Sequence, residues 1–392
     1  MRDWARHLDH LASTDMLRSL RTLSGPQGAQ VVLDGQQVLM LCSNNYLGLA
    51  NHPALIEAAC RATVDYGVGS SGSRLLSGSM TLHAAFEQRL AAFKGTPAAL
   101  LFNSGYAANT GILSGLFTAD DVIFSDALNH ASIIDGCRLS AAKTIVYPHA
   151  DVAALAALME HERPRRRGRW LIVTDGVFSM DGDMAPLADL CALKDANDAL
   201  LMVDDAHGTG VLGATGRGSG EVCGCLECID LHMGTLGKGL GGFGAYLAGP
   251  QTVIDTLVNL SRPFIFSTSL PPAVPAAAIA ALDIVDSSEG EQLRRQLARN
   301  QQLFVATLQA GGAELTATTT QIVPILTRTP GRTLQAAKQL LTDGILLQGV
   351  RPPTVPEGGC RLRATLMATH SREQLTLAAL KILSRLHELP SC

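Results

Sequence analysis

The sequence is poor in charged and aromatic residues, and it has no long uninterrupted apolar run. Charged residues make up 17% of the 392 positions and aromatic residues 4%, and the formal net charge is −4. A basic surface for nucleic acid is therefore not expected. No segment supplies the roughly 18 consecutive apolar residues that a membrane-spanning helix needs, and the first residues lack the apolar core of a signal peptide. We expect a cytoplasmic protein that binds neither nucleic acid nor membrane.

Two nucleotide-binding fingerprints are missing as well, and the cysteines form no complete metal-binding pattern. The chain has neither a glycine-rich dinucleotide motif after its first strand nor a P-loop. Its nine cysteines fit a reducing compartment. Cys223, Cys225 and Cys228 are close in sequence, but zinc normally takes four ligands and no neighbouring histidine completes the set. We expect these thiols to pack in the core without a metal; a metal-binding protein stays open as an alternative that metal analysis tests.

The chain has enough apolar residues to fill a large core. Hydrophobic residues make up 47% of it, and a chain of this length usually divides into domains. From about residue 53, helical and strand patterns alternate, which favours a mostly parallel sheet covered by helices on both faces. We predict an N-terminal helix and hairpin segment at 1–52, a large domain at 53–285 and a smaller α/β C-terminal domain at 286–392.

Local patterns predict the individual elements. Leucines at helical spacing indicate an amphipathic helix over residues 1–24, ended by Gly25 and Pro26, and a hairpin follows. The remaining predictions are hairpin strands at 30–34 and 37–41, apolar strands at 98–102, 122–125, 170–174 and 200–204, and helices at 131–142, 151–160 and 273–285. Ligands of such sheets bind beyond the carboxyl ends of the strands, so the polar residues that follow the strands are the candidates for function.

Lys238 lies among glycines, shortly after an apolar-polar segment. Glycines let the backbone approach a flat ligand and let the lysine amine face a pocket. Such an amine can form an imine with an aldehyde. A solvated lysine, or one that binds phosphate without covalent chemistry, fits the motif alone as well.

Asp204 stands at the end of the strand at 200–204, and His207 follows three residues later. A buried carboxylate needs a cationic or hydrogen-bonding partner, and a protonated pyridine nitrogen is a suitable one. His207 can hydrogen-bond a ring hydroxyl. Alone, the aspartate reads as a helix cap and the histidine as a core residue, but their joint occurrence with Lys238 makes these readings less favoured.

Ser104, Gly105 and Tyr106 stand between a predicted strand and a predicted helix. Backbone N–H groups at a helix N-terminus bind phosphate, and Thr235 can add a hydroxyl. Many turns are built this way, so this motif by itself is weak evidence.

Two more loops after strands complete a set of five. His130 can stack on a cofactor ring, and Ser179 can reach a ring hydroxyl. Together the loops supply a carbonyl-trapping amine, an acid for a ring nitrogen, a phosphate cradle, a stacking imidazole and hydroxyls. No other common cofactor needs that combination, so we predict pyridoxal 5′-phosphate held as a Schiff base on Lys238.

These loops resemble those of the α-oxoamine synthases, a family of fold-type-I pyridoxal-phosphate enzymes. The likeness extends over nearly the whole chain, from residues 44–49 to residues 365–370. It implies an α/β fold-type-I transferase with a large, mostly parallel sheet flanked by helices and a smaller C-terminal domain. It also implies a homodimer with active sites at the subunit interface.

The resemblance also implies a role for each matching residue. Lys238 would hold the cofactor and then act as acid and base, and Asp204 would pair with the ring nitrogen. The other implied contacts are His207 and Ser179 with the ring oxygen, His130 with the ring face and the substrate, Ser104, Gly105, Tyr106 and Thr235 with the phosphate, Thr268 with the phosphate of the other subunit, Asn44 and Arg363 with the amino-acid carboxylate, and Arg18 and Thr354 with the acyl substrate.

The choice of member within the family depends on a few stretches. Residues 350–356, 361–363 and 72–78 look most like the acyltransferases that condense L-alanine with pimeloyl-CoA or a pimeloyl-acyl carrier protein in biotin biosynthesis. Asp175 departs from this pattern, since biotin-pathway members often have Glu there, and leans slightly toward relatives that use acetyl-CoA.

The alternatives are a sister enzyme, such as glycine C-acetyltransferase or 5-aminolevulinate synthase, and a non-catalytic regulator on the same fold. Residues 1–24 are too few for the added helix-turn-helix domain that such a regulator would use. The sequence leaves the acyl carrier undecided between CoA and a carrier protein.

Overall fold

The structure, a computed structural model, describes residues 2–316 and 318–389. Within them the helices are α1 Arg2–Ser13, α2 Pro53–Tyr66, α3 Thr81–Lys94, α4 Gly105–Leu116, α5 Ala131–Leu139, α6 Val152–Glu162, α7 Leu187–Ala196, α8 Ser219–Val222, α9 Gln251–Leu260, α10 Arg262–Ile265, α11 Ala273–Val285, α12 Ser288–Ala310, α13 Pro330–Thr342 and α14 Arg372–Glu388. The strands are β1 Leu23–Ser24, β2 Gln30–Leu33, β3 Gln36–Met40, β4 Ala98–Phe102, β5 Val122–Asp126, β6 Lys143–Tyr147, β7 Trp170–Asp175, β8 Leu200–Asp204, β9 Leu231–Thr235, β10 Ala245–Gly249, β11 Ile322–Arg328, β12 Ile345–Leu346, β13 Gln348–Val350 and β14 Cys360–Thr365.

The chain divides into two compact units. The larger unit comprises Asn44–Ser179 and Asp183–Leu297, and the smaller comprises Met1–Ser43, Met180–Gly182 and Ala298–Cys392. The domain boundaries inferred from the sequence, after residues 52 and 285, stay a prediction. The end of the predicted C-terminal domain, residues 390–392, lies outside the described residues.

The larger unit contains a seven-stranded sheet in the order β4-β10-β9-β8-β7-β5-β6. Strand β10 is antiparallel to both of its neighbours. The pairs β9–β8, β8–β7, β7–β5 and β5–β6 are parallel. The predicted mostly parallel sheet is therefore confirmed, and so are the strands that the apolar runs predicted.

Side chains of alternate residues fill two separate cores on the two faces of this sheet. In β7, Leu171 and Val173 belong to the core beneath α4, α5 and α9, whereas Trp170 and Ile172 belong to the core beneath α6 and α7. This period of two is the side-chain geometry of a strand. Because helices cover both faces, the strands other than the edge strand β6 are almost wholly buried, which explains their continuous apolar runs.

The smaller unit has two small sheets, β1-β2-β3-β12 and β11-β14-β13. The predicted hairpin is confirmed, since β2 and β3 pair antiparallel. Across the described residues, none of the helices has the length and apolarity needed to cross a membrane.

The predicted N-terminal helix over residues 1–24 is wrong in length, because α1 ends at Ser13. Asp15 adopts a left-handed backbone conformation with φ of 57°. The N–H groups of Met16 and Leu17 both donate to the carbonyl of Leu11, at 2.7 and 2.9 Å, so the chain turns back on the helix end. The leucine spacing continued beyond this point, but the hydrogen bonds of the turn ended the helix. The helix predicted at 131–142 is also too long, because α5 ends at Leu139.

Candidate active site

The larger unit encloses a small cavity at the carboxyl end of its sheet. Its volume is about 180 Å³. It is lined by Gly105, Tyr106, His130, Ser132, Asp175, Ser179, Asp204, Ala206, His207, Thr235 and Lys238. Eight of the residues that the sequence singled out for the cofactor thus meet around one space, although they come from five separate loops.

The parallel strands deliver their last residues to this edge. Asp175, Asp204 and Thr235 are the final residues of β7, β8 and β9, and Asp175 is paired in register with Asp204. Both carboxylates are buried. Burial and the neighbouring Asp204 raise the pKa of Asp175 well above its usual value, so Asp175 takes up a proton more readily than a surface aspartate does.

Asn109 joins the two sides of the cavity. Its amide nitrogen donates to Oδ2 of Asp204 at 2.7 Å and to Oγ of Ser132 at 2.8 Å. The other carboxylate oxygen of Asp204 accepts the N–H of Ala206 at 3.0 Å. Two hydrogen bonds leave the carboxylate with lone pairs for a ligand, since an ionised carboxylate offers about four acceptor sites.

His130 is fixed by both its ring and its backbone. Nδ1 accepts the N–H of Ser132 at 3.3 Å and lies 2.7 Å from its hydroxyl, which assigns the ring proton to Nε2. The backbone N–H of His130 donates to Oδ2 of Asp175 at 3.0 Å. Burial lowers the pKa of His130, although Asp204 acts in the opposite direction. The ring therefore presents a neutral face at neutral pH.

His207 is held from below by a buried tyrosine. The hydroxyl of Tyr46 lies 2.7 Å from Nδ1 of His207 and donates to Oδ1 of Asn44 at 3.0 Å. Tyr46 is completely buried. Asn44, expected to bind the amino-acid carboxylate, is therefore linked through one hydroxyl to His207, expected to bind the ring oxygen.

Gly105 and Thr235 form the part of the cavity where the sequence placed a phosphate. Gly105 is the first residue of α4, and a Cβ there would lie 2.9 Å from Cγ2 of Thr235, so only glycine fits. Ser104 caps the helix through its hydroxyl, which accepts the N–H of Ala107 at 3.1 Å. Ser104 thus orients the helix N-terminus and is absent from the described lining of the cavity.

Thr268, Arg363, Arg18 and Thr354 are not among the described residues that line this cavity. Thr268 forms a β-bridge with Ser73, and its carbonyl accepts the side-chain N–H of Asn103 at 2.7 Å. Arg363 lies in β14 of the smaller unit. Arg18 donates to the hydroxyl of Thr354 at 3.5 Å, so the structure brings this pair together.

Arg351 holds the segment that precedes Arg18. Its guanidinium donates to the carbonyl oxygens of Asp15 and Leu17, at 2.6 and 3.2 Å. Arg351 and Leu17 line part of a cleft of about 590 Å³ within the smaller unit. The stretch at 350–356 distinguished among family members in the sequence analysis and contains Thr354; through Arg351 it also braces the N-terminal segment.

The cysteine group at 223–228 packs against the core under α6 and α7. Cys225 is buried there together with Cys191 of α7, and Cys223 and Cys228 lie against the same core. The described part of the chain contains no group of three or more His, Cys, Asp or Glu side chains arranged to hold a metal.

Sequence reasoning missed three residues that position the site, namely Asn109, Ser132 and Tyr46. Their partners Asp204, His130 and His207 were all singled out. Asn109 and Tyr46 are separated from those partners by 95 and 161 positions, so no local motif contained the pairs. Local sequence gave no signal for Tyr46 or Ser132, because other polar residues precede both of them.

Known proteins resemble this chain over nearly its whole length. The family "Aminotransferase class I and II" matches residues 36–382. An 8-amino-7-oxononanoate synthase of Citrifermentans bemidjiense is 59% identical over 97% of each chain. Among solved structures, serine palmitoyltransferase from S. paucimobilis, with a bound PLP–myriocin adduct, covers 98% of this chain and 97% of its own at 29% identity, with a TM-score of 0.93.

A solved 8-amino-7-oxononanoate synthase from Francisella tularensis is 28% identical, covers 90% of this chain and 98% of its own, and has a TM-score of 0.76. The family match spans most of the chain, and more than half of the positions are identical in a relative of nearly equal extent. The chain therefore belongs to the 8-amino-7-oxononanoate synthases, pyridoxal-phosphate-dependent acyltransferases of the class I and II aminotransferase family.

Proposed function

We propose that the strand-end cavity is where this chain condenses L-alanine with a pimeloyl thioester to give 8-amino-7-oxononanoate, carbon dioxide and the free carrier thiol, a step of biotin biosynthesis. The observation that carries this proposal is the convergence of Lys238, Asp204, His207 and His130 on one cavity. An amine, a buried carboxylate and two imidazoles are the groups that this chemistry requires.

The cavity fits pyridoxal phosphate. Asp204 keeps free acceptor positions for a protonated ring nitrogen, and Gly105 leaves room at the N-terminus of α4 that any Cβ would fill. Such a helix end, with its unpaired N–H groups, suits a phosphate. We assign the phosphate to Gly105, Tyr106 and Thr235, with Ser104 orienting the helix. The ring oxygen is assigned to His207 and Ser179, and the ring face to His130.

When bound, the cofactor supplies an electron sink for negative charge at the α-carbon of alanine. Lys238 removes the proton from that carbon and returns one at the end of the reaction. Asp204 keeps a proton on the ring nitrogen, because a buried carboxylate stabilises a cation beside it. Between these proton transfers, a C–C bond forms at the thioester carbonyl carbon, the C–S bond breaks, and the departing carrier thiolate takes up a proton from solvent. The alanine carboxylate then leaves as carbon dioxide.

We assign the carboxylate of alanine to Asn44 and Arg363, and the acyl substrate to Arg18 and Thr354. The hydrogen bond between Arg18 and Thr354 supports the second pair. Four cationic side chains, Arg18, Arg21, Lys338 and Arg351, line the same cleft together with leucines. An apolar chain that ends in a carboxylate, such as the pimeloyl group, suits this lining.

We further propose a cytoplasmic homodimer in which Thr268 reaches the phosphate held by the partner subunit. Large apolar side chains are exposed around Thr268, among them Leu76 and Phe266. A contiguous exposed apolar patch is typical of a protein–protein interface. Size-exclusion chromatography with light scattering tests the dimer, and a Thr268→Ala variant with weakened cofactor binding supports the shared site.

The experiment for the reaction is mass-spectrometric detection of product by the cofactor-loaded protein. L-alanine with pimeloyl-CoA is compared with glycine and acetyl-CoA in a parallel sample. We expect the mass of 8-amino-7-oxononanoate in the first sample alone. Product in the second sample alone would transfer the function to a glycine C-acetyltransferase, the direction in which Asp175 leans. Product in neither would contradict the proposal, once the same test with a pimeloyl-acyl carrier protein also gives none.

A further inference from the structure

Outside the residues already assigned, one histidine lies between two carboxylates. His149 follows β6, and its Nδ1 lies 3.0 Å from Oδ1 of Asp126 while its Nε2 lies 2.9 Å from Oδ2 of Asp183. A carboxylate oxygen can only accept, so both ring nitrogens must donate. His149 is therefore an imidazolium, and its side chain is only 25% exposed.

Each carboxylate belongs to a loop that reaches the cofactor cavity. Asp126 is the last residue of β5, and its side chain also accepts the backbone N–H groups of Leu128 and Ala150, both at 2.8 Å. It thereby fixes the turn that leads to His130. Asp126 is itself buried, so the turn is held from inside the protein.

Asp183 closes the second loop. Its carbonyl accepts the N–H of Phe178 at 3.0 Å, and a β-bridge joins Val177 to Met184. The residue after Phe178 is Ser179, which lines the cavity. The Phe178 ring meets the His149 ring edge-on, with centroids 4.3 Å apart, so the imidazolium contacts both the Asp183 carboxylate and the Phe178 side chain of this loop.

We propose that His149 is a positioning residue for the cofactor site: its ring, bound between Asp126 and Asp183, holds the loops of His130 and Ser179 at a fixed separation. The loop of His130 is also joined to β7 through Asn129, whose side chain bonds the backbone of Val173 and Asp175, both at 2.8 Å; His149 adds the link to Asp183. This inference rests on the proposed function only in that both place the cofactor in the same cavity.

The charge of His149 is what makes this link strong. Its hydrogen-bonding partners Asp126 and Asp183 raise the pKa of His149 to about 10, so it stays protonated at neutral pH. Tyr147 and Asp175 are two further titratable groups, and both interact electrostatically with Asp126. The second oxygen of Asp183 is buried and accepts no hydrogen bond from the described residues. Loss of the imidazolium would leave that carboxylate without a cationic partner, a costly arrangement.

The test compares His149→Gln with the matched control His161→Gln, since His161 is an exposed histidine on α6. The main readout is the dissociation constant of pyridoxal phosphate, measured by absorbance titration of the apo protein. We expect His149→Gln to raise it about tenfold, the lower end for loss of a charged hydrogen bond, and His161→Gln to leave it unchanged. Amide hydrogen exchange in the apo His149→Gln variant should be faster than in the apo wild type, both in residues 127–130 and in residues 177–179.

Asp183→Asn provides a second route to the same answer if His149→Gln fails to fold. It should also raise the dissociation constant about tenfold. The double variant should be little worse than either single one, because both remove the same link. An unchanged dissociation constant in the folded variants would overturn the inference, and so would a lower melting temperature without weaker cofactor binding. Cofactor affinity is measured without substrates, so a wild-type protein that forms no product would contradict the proposed function and leave this result standing.

Discussion

The cavity of the larger unit and the cleft of the smaller unit are built in opposite ways. The cavity has about 180 Å³, and its key groups Asp204, His130 and His207 are each fixed by hydrogen bonds to other buried side chains. The cleft has about 590 Å³ and is lined in part by Leu17 and Leu20, which are exposed. A preorganised site favours a transition state, whereas an open apolar cleft favours binding of a flexible chain. We therefore expect cavity variants to change kcat and cleft variants to change KM for the acyl substrate.

The largest effect is expected for Lys238→Ala. Removal of the amine that moves the α-proton should lower product formation by about 10⁴-fold, the upper end for one acid–base group. Mass-spectrometric product detection measures this. Lys143→Ala is the matched control, since Lys143 is a mostly exposed lysine that pairs with Glu162. An active Lys238→Ala protein would show that the reaction does not take place in this cavity.

A smaller but still large effect is expected for Asp204→Asn. The neutral amide can still hydrogen-bond, so the protein should retain cofactor, but it cannot stabilise a proton on the ring nitrogen. Turnover should fall by about 10³-fold while the absorbance of bound cofactor remains. Equal losses of bound cofactor and of turnover would show that Asp204 binds the cofactor but has no further role in catalysis.

Asn109→Ala tests whether the hydrogen bonds behind the cavity matter for catalysis. This variant removes the donor to both Asp204 and Ser132. Loss of a hydrogen bond to a charged group should lower kcat by about 10- to 100-fold, with little change in KM for pimeloyl-CoA. Steady-state kinetics with both substrates separates the two constants, and a change confined to KM would contradict the comparison between cavity and cleft.

Arg18→Ala tests the cleft. It should raise KM for pimeloyl-CoA about tenfold, the effect of one charged hydrogen bond, and leave KM for L-alanine unchanged. Arg372→Ala serves as the control because Arg372 is an exposed arginine in the same unit. Equal changes in both KM values would mean that the two regions are not specialised as we describe.

The smallest effect concerns stability and pH. The carboxylates around His149 raise its pKa to about 10, above the value of about 6.5 in an unfolded chain. Its contribution to stability is therefore complete below pH about 6.5 and is lost as the pH rises through about 10. The melting temperature of wild type should exceed that of His149→Gln by about 2 °C at pH 6.5, and the difference should shrink by pH 9.5. A difference that grows with pH would contradict the charge assignment.

Local sequence was sufficient to predict a site residue where the residue type and its position next to a strand or helix end indicate its role. Asp204 and Thr235 end buried strands, and Gly105 begins a helix. Lys238 lies among glycines. Apolar runs predict parallel strands, and parallel strands deliver their last residues to one edge of the sheet. Eight of the cavity residues could therefore be named before their geometry was known.

The tertiary structure alone decided which side chains hold those residues in place. Asn109 reaches Asp204, Tyr46 reaches His207, and His149 reaches Asp183, each across a loop or strand that no local pattern links. It also ended α1 at Ser13, although the leucine spacing continued. The physical reason is the same in each case: periodicity and residue type report which face a residue occupies, whereas a hydrogen bond depends on the distance between atoms that only folding brings together.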